Sequence, residues 1–150
     1  GIKNLRLNGT LRYDLVLPHS ERLRVPDSVH QPITRNEEIV NRNIGDKIEI
    51  EVSGIYEFFK GFSFSLLYKY AYKFHDHVSG NMGFNYKSLE DETNYQEHVG
   101  IASLWYSTVS LYQAKKFPLP MMAILSYRDR FAGTNLVKTQ YSSLTLAVYF

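Results

Sequence analysis

The sequence predicts an all-β protein, an antiparallel up-and-down transmembrane β-barrel with about six long strands, and three observations carry that expectation. First, apolar and polar residues alternate with period 2 over runs of a dozen residues, while helical periodicity is nearly absent. Second, long and short connections alternate along the chain, as they do between the two rims of an outer-membrane barrel. Third, the composition holds 12 Tyr, 9 Phe and 1 Trp in 150 residues, and tyrosine suits a membrane interface, where one end of the ring is apolar and the other wet.

Residues 4–17 form the first predicted strand, with Leu5, Leu7, Leu11, Tyr13, Leu15 and Leu17 on one face and Arg6, Arg12 and Asp14 on the other. Residues 18–45 are long, polar and carry Pro18, Pro26 and Pro32. They read as a loop, since proline opposes a further hairpin. Residues 46–58 put Ile48, Ile50, Val52, Tyr56 and Phe58 on the greasy face and Glu49, Glu51 and Glu57 opposite. A turn at Phe59-Lys60-Gly61 leads into residues 62–75. There Phe62, Phe64, Leu66, Tyr68, Tyr70, Tyr72 and Phe74 alternate with a set that includes Lys69 and Lys73.

Residues 76–94, with Gly80, Gly83 and an acidic Glu90-Asp91-Glu92, form a second long loop. Residues 95–113 form a long strand of less decisive alternation, whose expected outer set is Val99, Ile101, Trp105, Val109 and Leu111. After a short connection at 114–118, residues 119–131 place Leu119, Met121, Leu125, Tyr127 and Phe131 against Ile124, Arg128 and Arg130. An intermediate loop, 132–139, precedes the last strand, 140–150. Its Leu144, Leu146, Val148 and Phe150 share one face, while Tyr141, Ser143, Thr145 and Tyr149 share the other.

The dimensions suit a bilayer. Phe62 to Phe74 spans about 40 Å of strand, or roughly 28 Å of membrane height at a tilt of ~45°. Phe58, Phe62 and Phe64 are expected in one aromatic girdle and Tyr70, Tyr72 and Phe74 in the other. Mean hydropathy is −0.29, an average that hides a barrel because lumen and lipid residues alternate. No run approaches the ~18–20 apolar residues of a membrane helix. The net charge of +2, spread along the chain, offers no basic block for nucleic acid. Without cysteine there is no disulfide or thiolate chemistry. Gly1 is not an initiator methionine and no signal peptide is visible, which predicts a processed chain or a fragment.

The last ten residues, ending on an aromatic, resemble the C-terminal strand of Gram-negative outer-membrane β-barrel proteins. More loosely, residues 43–150 resemble the last part of barrels of the porin and hydrophobic-compound-transporter type. Asn43-Ile-Gly-Asp-Lys, Ala114-Lys-Lys-Phe-Pro-Leu-Pro120 and the Tyr-Phe terminus are similar to transporters linked to meta-pathway aromatic degradation. The resemblance implies an outer-membrane channel for passive passage of small molecules, with the C-terminus at the periplasmic side. Loops 18–45, 76–94 and 132–139 would then be extracellular. Leu144, Leu146, Val148 and Phe150 would be the signal read by the barrel assembly machinery.

In that reading Arg6, Arg12, Asp14, Glu49, Glu51, Glu57, Lys69, Lys73, Arg128 and Arg130 line the lumen, and Glu49 or Glu51 pairs with Lys69 or Lys73 across it. A mixed ring of this kind opposes strong ion selectivity. Lipid and lipopolysaccharide would surround the barrel. Because single-chain barrels start at eight strands, further strands of the same protein or other copies would be needed to close it. The alternative is a structural or partner-binding barrel, a sheath around a periplasmic or electron-transfer protein. A lesser one is a small outer-membrane hydrolase using His77 and Ser79. His75 and His77 could begin a metal site but lack a third ligand. No catalytic residue is otherwise expected, and no phosphate-binding or dinucleotide motif or other cofactor signature is present.

Overall fold

The computed structural model describes residues 4–28, 30 and 33–149; Pro32 and Phe150 lie outside them. The regular structure is almost all β, and every strand pairing is antiparallel. Its strands are β1 (Leu5–Asp14), β2 (His19–Arg24), β3 (Glu37–Asn43), β4 (Lys47–Phe59), β5 (Phe62–Lys73), β6 (His77–Ser79), β7 (Tyr95–Ser107), β8 (Met121–Thr134) and β9 (Gln140–Val148). Two short helices, α1 (Lys87–Glu90) and α2 (Val109–Gln113), interrupt them. The long strands build one six-stranded sheet in the order β1-β4-β5-β7-β8-β9, and β2-β3-β6 form a second sheet. Strands β1 and β9 each pair on one side only, so the six strands form no closed barrel.

The β4–β5 hairpin holds its register from Lys47↔Lys73 to Glu57↔Ser63, then bulges at Phe58 so that Phe59 meets Phe62. The turn needs glycine. Gly61 has φ +90°, and a Cβ there would lie 2.3 Å from the Ser107 carbonyl oxygen. That oxygen's residue also donates its own amide to Gly61, at 2.7 Å. The hairpin turn is therefore locked onto the end of β7.

The smaller, distal sheet is a continuation of the larger one. From Asp14 to His19 one strand advances by as many residues as its partner retreats from Lys47 to Arg42. The same holds from Lys73 to His77 against Lys47 to Asn43. One ladder thus runs through both sheets and is interrupted along a single line, at residues 15–18, 44–46 and 74–76. At this line carboxylates take over ladder bonds. The Val16 amide donates to Asp46 Oδ1 at 2.9 Å, and the Gly45 amide to Asp76 Oδ1 at 3.1 Å. Gly45 has no room for a side chain, because a Cβ would lie 2.1 Å from the Phe74 carbonyl oxygen.

The expectation of plain loops at 18–45 and 76–94 is therefore corrected: they fold into β2, β3, β6 and α1. The prolines did not prevent it, because Pro18 and Pro26 fall just outside the strands. The distal sheet carries its own core of Val25, Val40 and Val78, packed by Leu23, Phe84, Tyr86 and Leu89. Burying a valine of this kind contributes about 1.5–3 kcal/mol, enough to hold a short three-stranded piece when its polar groups are also met. Glu38 meets them: it accepts from the Met82 amide at 2.9 Å and from the Tyr86 hydroxyl at 2.6 Å.

Two boundaries also differ from expectation. The predicted strand 95–113 stops at Ser107, and Val109 and Leu111 lie in α2. The fully buried Thr108 ends it. Its hydroxyl donates to the Leu119 carbonyl at 2.7 Å and accepts from the Met121 amide at 2.9 Å, which turns the chain. The strand expected over 119–131 instead starts at Met121 and runs on to Thr134, so the 132–139 loop shortens to 135–139.

Candidate functional site

The six-stranded sheet has two unlike faces. Directly opposed residues in an antiparallel ladder share a face, so the register assigns every side chain. One face carries Leu7, Leu11, Val52, Leu66, Leu104, Leu125, Leu144 and Leu146, among aromatics from every long strand except β9. Among them Leu125 is 50% exposed and Leu11 74%. The expected girdle residues Phe62, Phe64, Tyr70 and Tyr72 lie on this face, in contact with Phe58, Phe59 and Phe74. Phe59 stacks on Phe62 at 5.1 Å and Tyr72 meets Phe74 edge-on at 5.0 Å. A polar note appears toward the distal end, where Tyr68 and His98 share a hydrogen bond of 2.7 Å.

The opposite face is the candidate site, and its rows change character along the strands. Toward the distal end it is charged. Lys47 bridges Glu49, Glu49 meets Lys69 at 2.8 Å, Lys69 approaches Glu97 at 3.9 Å, and Glu97 meets Arg130 at 3.0 Å. This chain of alternating signs crosses β4, β5, β7 and β8 without a break. Both glutamates are buried under their partners, a position a carboxylate holds only when paired. Arg12 pairs with Asp14 at 2.7 Å. Arg128 lies over the Tyr141 ring, 6.0 Å from its centroid, with no carboxylate partner among the described residues.

Toward the Lys60–Gly61 turn the same face becomes hydroxylic and apolar. Ser65, Ser103, Ser126 and Ser143 stand opposite one another in succession, and Ser103 and Ser126 share a hydrogen bond of 2.8 Å. Next come Glu57, Ser63, Trp105 and Ile124. Trp105 Nε1 donates to Ser65 Oγ at 3.0 Å. The turn, α2 and these strand ends line a half-open pocket of about 460 Å³.

All ten expected lumen residues lie on this face, and of the alternative pairings expected the one that forms is Glu49 with Lys69. Lys73 does not reach Glu49 or Glu51. It bridges Asp76 and donates to the Thr93 carbonyl at 2.9 Å. Val99, Ile101 and Trp105, expected on the outer side, belong to the charged face, since they oppose Lys69, Leu67 and Ser63. Both alternating sets of β7 are rich in apolar residues, so the pattern alone could not choose. Glu97 could have chosen. It is the one charged residue in 95–107, and an acid belongs with Lys69 rather than with leucines. Glu97 is one site residue that the sequence reading passed over.

Asp76 is the other. It is 4% exposed and accepts from Arg42 Nη2 at 3.0 Å, from the Gly45 amide and from Lys73. Burial pushes its pKa up, but Lys73, the Gly45 amide and Arg42 outweigh burial and hold the carboxyl below its usual range. Arg42 also donates to Glu21 Oε1 at 3.1 Å. Asp46 is likewise held low by the Tyr13 hydroxyl and the Val16 amide. Glu38 is pushed up by burial and drawn lower still by Tyr86 and the Asn81 and Met82 amides.

His75 and His77 do not converge on a metal. His75 turns to the Asp76 carbonyl and Thr93, and His77 to Glu90 Oε1 at 3.1 Å. Among the described residues no group of three histidine or carboxylate side chains is placed to hold an ion. Ser79 shares no hydrogen bond with His77. No protein-family model, curated protein or solved structure matches the chain.

Proposed function

We propose that this chain is a sector of a Gram-negative outer-membrane β-barrel that passes small molecules through a polar lumen. The observation that carries the reading is the uncovered apolar face. Leucines on five of the six adjacent strands, and Val52 on β4, stand 40–74% exposed, and no element of the described residues packs on them. A soluble protein leaves few apolar patches of this extent, whereas lipid suits such a face, whose polar residues His98, Asp129 and Gln140 gather in its distal half. The aromatic clusters toward its two ends suit the interfacial girdles.

The opposite face then lines the lumen. Its buried ion pairs keep the wall wet and rigid, and its mixed signs set no strong ion preference. The free edges of β1 and β9 run antiparallel to each other, so the sector closes when strands of a longer protein, or of other copies, join them. With Lys60–Gly61 at the periplasmic rim, the distal sheet stands outside the membrane as a folded extension of the wall. The wider expectation of a porin-like or hydrophobic-compound transporter stays part of this proposal.

Reconstitution of the full-length protein into planar bilayers tests it. Stepwise conductance is expected; an electrically silent bilayer at high protein load would refute the channel. A protein that remains monomeric and soluble without detergent would refute the membrane placement as well.

A further inference from the structure

We infer that the cavity at the turn end of the polar face is a binding subsite for small organic anions with an apolar body. The inference rests on the channel reading only in placing the cavity at the periplasmic mouth of the lumen; the binding chemistry stands on the cavity's own residues.

The charges of the polar face are distributed unevenly. Arg12, Lys47, Lys69, Lys73 and Arg130 are each joined to a carboxylate. Arg6 and Lys60, both lining the cavity, have no ion pair among the described residues. Glu57 is the one acid in the lining, and its Oε1 accepts from the Gly61 amide at 3.4 Å. Two free cations against one engaged carboxylate leave the cavity positive. The sheet pairs its other cations except Arg128, and the two exposed cations here stand open to an anion from outside.

The remaining wall is apolar. Ile55, Val109 and Met122 line it with the ring of Trp105. Trp105 is fixed by its bond to Ser65, and the frame around it is stiff. Ser107 and Gly61 are joined by a backbone hydrogen bond of 2.7 Å, and Thr108 ties the strand end to Leu119 and Met121. A preformed cavity of about 460 Å³ with apolar walls and a few convergent polar groups is the usual form of a small-ligand site. Arginine offers a carboxylate two donors in one plane, and the apolar wall takes the rest of the molecule.

The one tryptophan of the chain lies in this cavity, so its fluorescence reports occupancy. The full-length protein, folded in detergent, is titrated with hexanoate, hexanol, hexylammonium and acetate. A saturable fluorescence change with hexanoate is expected, at least tenfold tighter than with hexanol or acetate, with none from hexylammonium. Trp105→Phe should abolish the signal, and Arg6→Gln with Lys60→Gln should weaken binding tenfold or more. Equal binding of hexanoate and hexanol would overturn the inference, as would a double variant that binds like the parent. If that variant does not fold, the four-ligand comparison on the unaltered protein decides alone. Bilayer recordings separate the two proposals. A conducting channel with no hexanoate response removes the subsite and leaves the channel. A hexanoate response in a protein that does not conduct upholds the subsite and removes the channel.

Discussion

Replacing Asp76 by asparagine should detach the distal sheet from the wall without disturbing the wall itself. The Asp76 carboxylate is nearly inaccessible and receives two cations, Arg42 and Lys73, together with the Gly45 amide. Asparagine keeps one acceptor, turns the other position into a donor facing guanidinium or ammonium, and removes the charge. Loss of a hydrogen bond to a charged group costs about 1.5–3 kcal/mol. The Arg42 bond to Oδ2 is lost outright and the Lys73 bond to Oδ1 survives only as one to a neutral oxygen, while the side chains of Arg42 and Lys73 keep 28% and 17% of their exposure, so water recovers part of the cost. A net loss of about 2–4 kcal/mol is expected, which corresponds to roughly a thirty- to several-hundred-fold greater opening of the distal sheet. Hydrogen exchange at Val40 and Val78, compared with Val99 and Ile124, measures it. Faster exchange confined to residues 19–43 and 77–94 is expected. Equal acceleration in β7 and β8, or no acceleration at all, would refute the role given to Asp76.

Three further outcomes follow from the same arrangement. Acid should loosen the distal sheet: Asp76 and Glu38 are both held below their usual pKa, so their contribution is complete above the unfolded carboxylate value of about 4 and is lost as pH falls through their lowered folded values; protease sensitivity of residues 19–43 should rise between about pH 4 and 2.5 and stay flat between 5 and 7. Leu66→Arg, on the apolar face, should destabilise the protein in vesicles by about 2–4 kcal/mol, while Leu67→Arg, facing the other way, should cost less than half as much, with urea unfolding monitored by fluorescence as the measure. Lys69→Met strips the shared cation from Glu49 and Glu97, and the lumen should turn more cation-selective, seen as a shift of reversal potential under a salt gradient.

The strands were legible where one face was purely apolar and the other purely charged. In β4 and β5 the contrast of Ile48, Ile50 and Val52 with Glu49 and Glu51 left no second parity, and the face each of them takes follows from it. Strand β7 was not legible in this way, because Val99, Ile101 and Trp105 pack among long charged side chains on the polar face and need not be polar to stand there. The distal sheet escaped for another reason. Its strands are short, its apolar residues Val25, Val40 and Val78 come from three separate segments, and only their assembly makes a core. Asp76 was visible in the sequence between two histidines, but its partners are contributed by β3, the β3–β4 connection and β5. No local pattern brings such a set together.

The unbroken register across the interruption has a bearing on where this protein can change length. Because side chains alternate with every residue, removing one residue from Ile44–Asp46 would turn β3 over, presenting Ile39 and Asn41 to the small core and casting Val40 into water. Matching changes would be required at once in the neighbouring segments around Leu15–Pro18 and Phe74–Asp76. The tip around Ile33–Arg35, where Ile33 is 94% exposed, lies beyond the Val25–Asn36 hydrogen bond and carries no such constraint. An affinity tag, a fluorescent label or a natural insertion is accommodated at that tip, whereas the three segments below it can vary in sequence only at constant length.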